Sequence, residues 1–231
     1  MRLPTINRPI IMDVNPHSPI AEAYRTLRTN IEFSAVDEEI RVIMINSAQP
    51  GEGKSTTAAN LAAAYALSGK KVLLIDADLR KPTVHHIFGL SNRFGVTNLL
   101  TTPADFKEAV RETHVDNLHV LTSGPTPPNP SELLGSKKME NLVHALKEAF
   151  DVLIIDTPPT LAVTDAQIVA ALCDGVLLVL ESGRIKREIA RKAKANLEHV
   201  NARILGIVLN NVKRRDGDAP YYYYGSSAKG S

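Results

Sequence analysis

An α/β fold, with a mostly parallel, doubly wound sheet flanked by helices, is predicted by three features of this 231-residue sequence. Apolar runs alternate with helical stretches along the chain. The runs are apolar at successive positions and not at every second one, which implies strands buried on both faces. A glycine-rich turn joins the first such strand to the helix after it. This alternation implies right-handed crossovers between parallel strands.

The elements read in order as follows. Ser18 caps a helix with Pro19 at its first position, ending near Phe33. Arg41–Ala48 (RVIMINSA) is the first strand, followed by the turn Pro50-Gly51-Glu52-Gly53 and a helix from Lys54 to about Leu67. Ser68-Gly69-Lys70 stops that helix, and Lys71–Asp76 (KVLLID) is the second strand. Leu118–Leu121 is a third, short strand. Gly124–Pro130 (GPTPPNP) is a proline-stiffened loop expected to overhang the site. A helix over about Ser131–Phe150 precedes the strand Asp151–Asp156 (DVLIID). Helix Asp165–Leu172, strand Gly175–Leu180, helix Arg184–His199 and strand Ile204–Leu209 complete the series.

Composition narrows the function. With 44% hydrophobic and 23% charged residues the chain is neither a disordered segment nor a collagen-like fibre. A single cysteine, Cys173, allows no internal disulfide and fits a reducing compartment. Twenty-seven basic against 25 acidic residues give +2, too balanced for a chain that coats nucleic acid or an acidic membrane. No apolar run approaches the roughly 18–20 residues that span a bilayer. The start Met1-Arg2-Leu3-Pro4 lacks the apolar core of a signal peptide, so a cytoplasmic location is expected. The length suits one domain over residues 1–215, followed by a flexible tyrosine-rich tail over 216–231.

Gly51-Glu52-Gly53-Lys54-Ser55-Thr56 carries the chemistry, because it ends the first strand and opens a helix. Its glycines let backbone N–H groups turn inward on an anion, and the helix N-terminus adds its dipole. Lys54 adds a point charge and the Ser55 hydroxyl is placed for Mg2+. The pattern is G-x-x-x-x-G-K-[ST] with Ala48 in place of the first glycine. It predicts a P-loop NTPase that binds a nucleoside triphosphate. Asp76 and Asp78 lie at and just beyond one strand end, and Asp156 ends another. Ligands of open α/β sheets sit at the carboxyl ends of the strands, so all three acids converge on the phosphates. Their oxygens suit Mg2+.

These residues carry a specific resemblance. The sequence Val72–Arg80, of the form apolar-apolar-D-x-D-x-R and followed by Lys81-Pro82, resembles the second acidic motif of the bacterial tyrosine kinases. Ala48–Thr56 and Leu153–Pro159 resemble that family's Walker A and Walker B motifs. The likeness extends from the first helix through Ser123–Leu134 (SGPTPPNPSELL) to the tyrosine tail. Members made as a separate kinase, working with a membrane adaptor in capsule or exopolysaccharide synthesis, look most similar. The resemblance implies ATP and Mg2+ as cofactors, Lys54 on the phosphates, and Ser55, Asp78 and Asp156 around the metal. It implies Asp76 as the group that orients or deprotonates the attacking tyrosine, and Arg80 as support for the acidic pair or for a neighbour's tail. Asn210 resembles the adenine-reading asparagine of related ATPases.

The cluster Tyr221-Tyr222-Tyr223-Tyr224 follows a polar hinge and is the expected phosphoacceptor, entering a neighbour's site. Glu22, Arg25 and Arg28 recur at steps of three along the first helix, and match the family's E-x-x-R-x-x-R oligomerisation motif. The implied partners are a second copy of the chain in a ring, the adaptor at the inner face of the cell membrane, a cognate tyrosine phosphatase and protein substrates. A competing reading is a ParA/MinD-type positioning ATPase. Such proteins carry a signature lysine at the position of Gln49, and their membrane-binding kind ends in an amphipathic helix.

Overall fold

The computed structural model describes residues 10–34 and 39–213, which form one sheet between two helical layers. In chain order, α1 (Ile11–Val14) and α2 (Pro19–Phe33) precede β1 (Val42–Ser47) and α3 (Lys54–Ala66). β2 (Val72–Asp76) leads through α4 (Val84–Phe88), α5 (Val96–Thr101) and α6 (Phe106–Ala109) to β3 (Arg111–Glu112) and β4 (Leu118–Leu121). Next come α7 (Pro130–Leu134), α8 (Lys137–Ala149), β5 (Val152–Asp156) and α9 (Asp165–Ala170). The described chain closes with β6 (Gly175–Glu181), α10 (Arg187–Glu198) and β7 (Ile204–Asn210).

The strand order is β3-β4-β2-β5-β1-β6-β7, parallel except where β3 pairs antiparallel with β4. Burial on both faces is the physical reason β1, β2, β5 and β6 are apolar along most of their length. The edges depart from that expectation: β3 is an exposed Arg-Glu pair, and β7 leaves Ile207 and Leu209 exposed because no strand or helix among the described residues covers them. Val42 and Met44 of β1 join one layer with Leu146 of α8, Val169 of α9 and Leu197 of α10. Ile43 and Ile45 join the opposite layer, with Met12 of α1, Ala21 of α2 and most of α3. The small side chains of alanine-rich α3 let it lie between the sheet and α2, buried on every side. α2 begins as its sequence dictates: the Ser18 hydroxyl accepts the Ala21 N–H at 3.1 Å, with Pro19 at the first helical position. Its Arg28 guanidinium donates to the Ala64 carbonyl at 3.0 Å and so ties α2 to the end of α3. Among the described residues no helix is long and apolar enough to cross a membrane.

Three features depart from the sequence reading. The helix expected over Ser131–Phe150 is two helices, because Ser136 caps α8 by accepting the Met139 N–H at 3.3 Å. The helix expected from Arg184 starts at Arg187, after a turn in which Gly183 has a φ of +74°. The segment between β2 and β4 holds three short helices and the two-residue edge strand β3, all too short for a periodicity to reveal.

Gly95 shows how closely that segment lies on the sheet. A Cβ there would sit 2.1 Å from the Thr122 carbonyl oxygen and 2.4 Å from the Gly124 nitrogen. Gly95→Ala should therefore destabilise the protein by about 3 kcal/mol, the upper range for overpacking. Thermal unfolding should show this as a Tm lowered by roughly 6–12 °C. A Tm within a degree of the unsubstituted protein would contradict so tight a contact.

Candidate active site

Parallel pairing brings the carboxyl ends of β1, β2, β5, β6 and β7 to one edge of the sheet, and the register sets Asp76 of β2 beside Asp156 of β5. The glycine loop crosses this edge between β1 and α3. Gly51 and Gly53 adopt φ values of +85° and +92°, which only glycine takes without strain. Gly53 has a second constraint: a Cβ would lie 2.0 Å from Asn210 Nδ2. Glu52 turns inward and is buried. Its carboxylate accepts the Gln49 N–H at 2.7 Å and the Glu181 N–H at 3.4 Å, so it props the loop and does not face the ligand. Asn210 donates from Nδ2 to the Glu52 carbonyl at 3.0 Å, which ties the end of β7 to the loop.

Lys54 holds the centre. Its ammonium lies 3.1 Å from Asp78 Oδ2, 3.3 Å from both oxygens of Asp156 and 3.2 Å from Ser55 Oγ. Burial works against its charge, yet Asp156, Asp78 and Asp76 together hold its pKa above the ordinary lysine value. Asp156 is driven the other way by burial and stays above the usual carboxylate range despite Lys54 and Ser55. Burial also raises Asp76, and neighbouring Asp156 adds to the effect. Two carboxylates, of Asp78 and Asp156, lie within ion-pair distance of one ammonium, and Asp76 stands close behind them. Were all three ionised, the cluster would carry two more negative charges than Lys54 balances, and a divalent cation would offset them.

A cavity of about 540 Å³ opens above this cluster. Gly51, Gly53, Lys54, Ser55, Thr56, Asp78, Arg80 and Asn210 line it, all expected from the sequence. Lys81, Thr83, Pro158, Pro159 and Asn211 join them, unassigned by the sequence reading although most adjoin its motifs. Asp76 does not line the cavity. It is fully buried, and its carboxylate accepts backbone N–H groups of Asp78 at 3.2 Å and of Thr83 and Val84 at 3.0 Å each. Asp76 thus shapes the turn that presents Asp78 and starts α4. Asp156 lies behind Lys54, off the cavity wall. The Gly124–Pro130 loop does not overhang the cavity either; Asn92 and Gly95 hold its start over β4, beyond β2.

Ser55, Asp78 and Asp156 supply hard oxygens suited to Mg2+. Among the described residues no group of three or more His, Cys, Asp or Glu forms a metal cage. Mg2+ takes one or two carboxylates and completes its shell with water and phosphate. Arg80 pairs with Asp165 through two parallel bonds, Nε to Oδ2 at 2.8 Å and Nη2 to Oδ1 at 3.0 Å. Burial would raise Asp165, but its bonds from Arg80 and Ser131 hold it below the usual carboxylate range.

The charged stripe of α2 has work within its own chain. Arg25 pairs with Glu22 at 2.9 Å and donates to the Pro16 carbonyl at 2.6 Å, while Arg28 is tied to α3. Reversing both arginine charges would therefore disturb the α2–α3 contact as well as any neighbour. Tyr221–Tyr224 lie outside the described residues.

Comparison with known proteins places this geometry. The profile of the ParA family, described as an NUBPL iron-transfer P-loop NTPase, matches residues 39–218. The tyrosine-protein kinase YwqD of Bacillus subtilis (strain 168) is 50% identical over 221 residues, covering 96% of this chain and 93% of its own. The kinase domain of Escherichia coli tyrosine kinase ETK superposes with a TM-score of 0.87 at 36% identity, covering 96% of this chain and 88% of that one. The chimerical protein CapA2B2 gives 0.86 at 41% identity, with 93% and 92% covered. The cell division ATPase MinD of Pyrococcus furiosus is less similar, at 0.65 and 30% identity, with 79% and 77% covered.

Loss of the Lys54 charge should be felt in stability as well as chemistry. If the Lys54 ammonium stood in water, Lys54→Met would cost little stability. Its side chain is instead 11% exposed and balances a fully buried Asp156. Lys54→Met should cost about 3 kcal/mol at pH 8, as removal of one partner from a buried pair does. The Asp156 pKa would rise further, while unfolded aspartates titrate near 4. The native variant then binds a proton the unfolded chain lacks, so its deficit should shrink as pH falls from 8 toward 5. A deficit that is constant over that range, measured by urea unfolding, would contradict the charge-balance account.

Proposed function

This chain belongs to the bacterial protein-tyrosine kinases, within the ParA-type P-loop NTPases, and on that premise we propose that it transfers the γ-phosphoryl group of Mg-ATP to Tyr221–Tyr224 of a neighbouring copy. The observation that carries the proposal is the Lys54 ammonium, 3.1 Å from Asp78 and 3.3 Å from Asp156 at the base of the cavity. Backbone N–H groups from Gly51 to Thr56 and the Lys54 ammonium bind the phosphates. Ser55, Asp78 and Asp156 would hold Mg2+, which would supply positive charge to offset that of the phosphates. Asn210, fixed to the loop through the Glu52 carbonyl, borders the nucleoside. Asp78 is the carboxylate that lines the cavity and so the one open to an incoming phenol, and Asp76 keeps the Asp78 turn in place. This shifts part of the role assigned to Asp76 from proton transfer to orientation.

Similarity to the putative tyrosine-protein kinase CapB of Staphylococcus aureus and the tyrosine-protein kinase CpsD of Streptococcus agalactiae, at 42% and 43% identity, supports a role in capsular or exopolysaccharide synthesis. Similarity to the CapA2B2 chimera supports a membrane adaptor as partner, with recruitment to the inner face of the membrane. The α2 stripe remains the proposed contact of a ring, and a tyrosine phosphatase would reset the cycle. Each phosphotyrosine adds about −1.5 to −2 charges, so four add roughly −6 to −8. Against a chain of net charge +2, that favours release of modified tails from the acidic cluster around Asp78.

Incubation with γ-labelled Mg-ATP should place label on Tyr221–Tyr224, located by mass spectrometry, and changing all four to phenylalanine should abolish it. Label confined to other residues, or nucleotide hydrolysis without protein label, would favour a MinD-like ATPase. In sedimentation at matched concentration with Mg-ADP, the phosphorylated protein should be the smaller species. Equal sedimentation would remove the assembly switch.

A further inference from the structure

Arg80 lines the active-site cavity, yet two residues distant in sequence fix its orientation. Asp165, fully buried at the first position of α9, receives Nε at 2.8 Å and Nη2 at 3.0 Å. Ser131 of α7 accepts from Nη2 at 3.0 Å and donates from Oγ to Asp165 Oδ1 at 2.7 Å. The three side chains close a ring of hydrogen bonds. These bonds use the Nε–Nη2 edge of the guanidinium and leave Nη1 free of them. A planar group held along one edge cannot turn freely, so its remaining donors keep one direction.

The strand order says which ligand that direction serves. The sheet runs β2-β5-β1-β6-β7 across the site. The phosphate loop follows β1, Asn210 ends β7 on one side, and Arg80, Lys81 and Thr83 follow β2 on the other. With the nucleoside toward β7, the γ-phosphate faces the β2 side. The acceptor must arrive there, past Arg80 and Lys81, two cationic side chains. The proposed acceptor is preceded by Asp216 and Asp218.

We propose that Asp165 and Ser131 are positioning residues that lock Arg80 at the acceptor end of the cavity, where its free donors receive the incoming acidic tyrosine segment and the phosphate it gains. This rests on the phosphotransfer reading above. A purely structural tie between α7, α9 and the Arg80 turn would act on stability and on every substrate alike. A positioning role acts on the acceptor and vanishes when Arg80 is absent.

The test uses the full chain and a synthetic peptide spanning residues 216–226 as acceptor, with saturating Mg-ATP. Ser131→Ala should raise the peptide KM roughly tenfold, the scale of one hydrogen bond to a charged group. ATP affinity should match the unsubstituted protein, and Ser131→Thr should restore the KM. On an Arg80→Ala background, Ser131→Ala should add nothing. Asp165→Asn should reproduce the KM effect, and the Ser131 series decides the matter should that buried substitution fail to fold. Additive losses from Ser131→Ala and Arg80→Ala would overturn the inference, as would an unchanged KM or an equal loss of ATP affinity. An unsubstituted protein that phosphorylates no tyrosine would sink the proposed function itself. Transfer to the peptide together with additive losses would sink this inference alone.

Discussion

Lys54 sits among Asp76, Asp78 and Asp156 at the carboxyl edge of a sheet whose neighbouring strands are wholly buried, and much of the surrounding structure exists to hold that arrangement. Charges removed from water are tolerated only when paired and hydrogen-bonded. Here one ammonium serves the carboxylates of Asp78 and Asp156, with Asp76 close behind. The proposed uptake of Mg2+ with the nucleotide would add the positive charge that such a cluster favours. Burial of Asp76 and Asp156 sharpens that need, since both resist ionisation until positive charge arrives.

The loop over this cluster is fixed from three directions. Gly53 admits Asn210 at a distance no side chain would allow, Asn210 bonds the Glu52 carbonyl, and the Glu52 carboxylate reaches Gln49 and Glu181. Ends of β1, β6 and β7 are thereby joined around the phosphate site. On the far side Asp76 does the same for the turn after β2, and Arg80 carries the connection on to α7 and α9. Preorganised donors of this kind need no rearrangement when charge develops during transfer. The MinD-like proteins share the fold at a lower similarity than the tyrosine kinase domains do.

Much of this was legible in the sequence, for physical reasons. Strands buried on both faces must be apolar at nearly every position, so β1, β2, β5 and β6 could be located directly, and the apolar run of β7 was found the same way although its outer face is open. A strand ending in a glycine-rich turn before a helix must present N–H groups, so Gly51–Thr56 marked the phosphate site. The placement of Lys54, Ser55, Asp78, Arg80 and Asn210 around one cavity followed from strand ends meeting at one edge. Only the fold could decide which carboxylate faces the cavity. Asp76 and Asp78 are two residues apart and look equivalent in sequence, but the chain turns back after β2 and closes three N–H groups on Asp76. The ties of Arg28 to Ala64 and of Arg80 to Ser131 and Asp165 join residues 36, 51 and 85 positions apart. No local pattern records such contacts, because they arise only when separate helices pack on the same sheet.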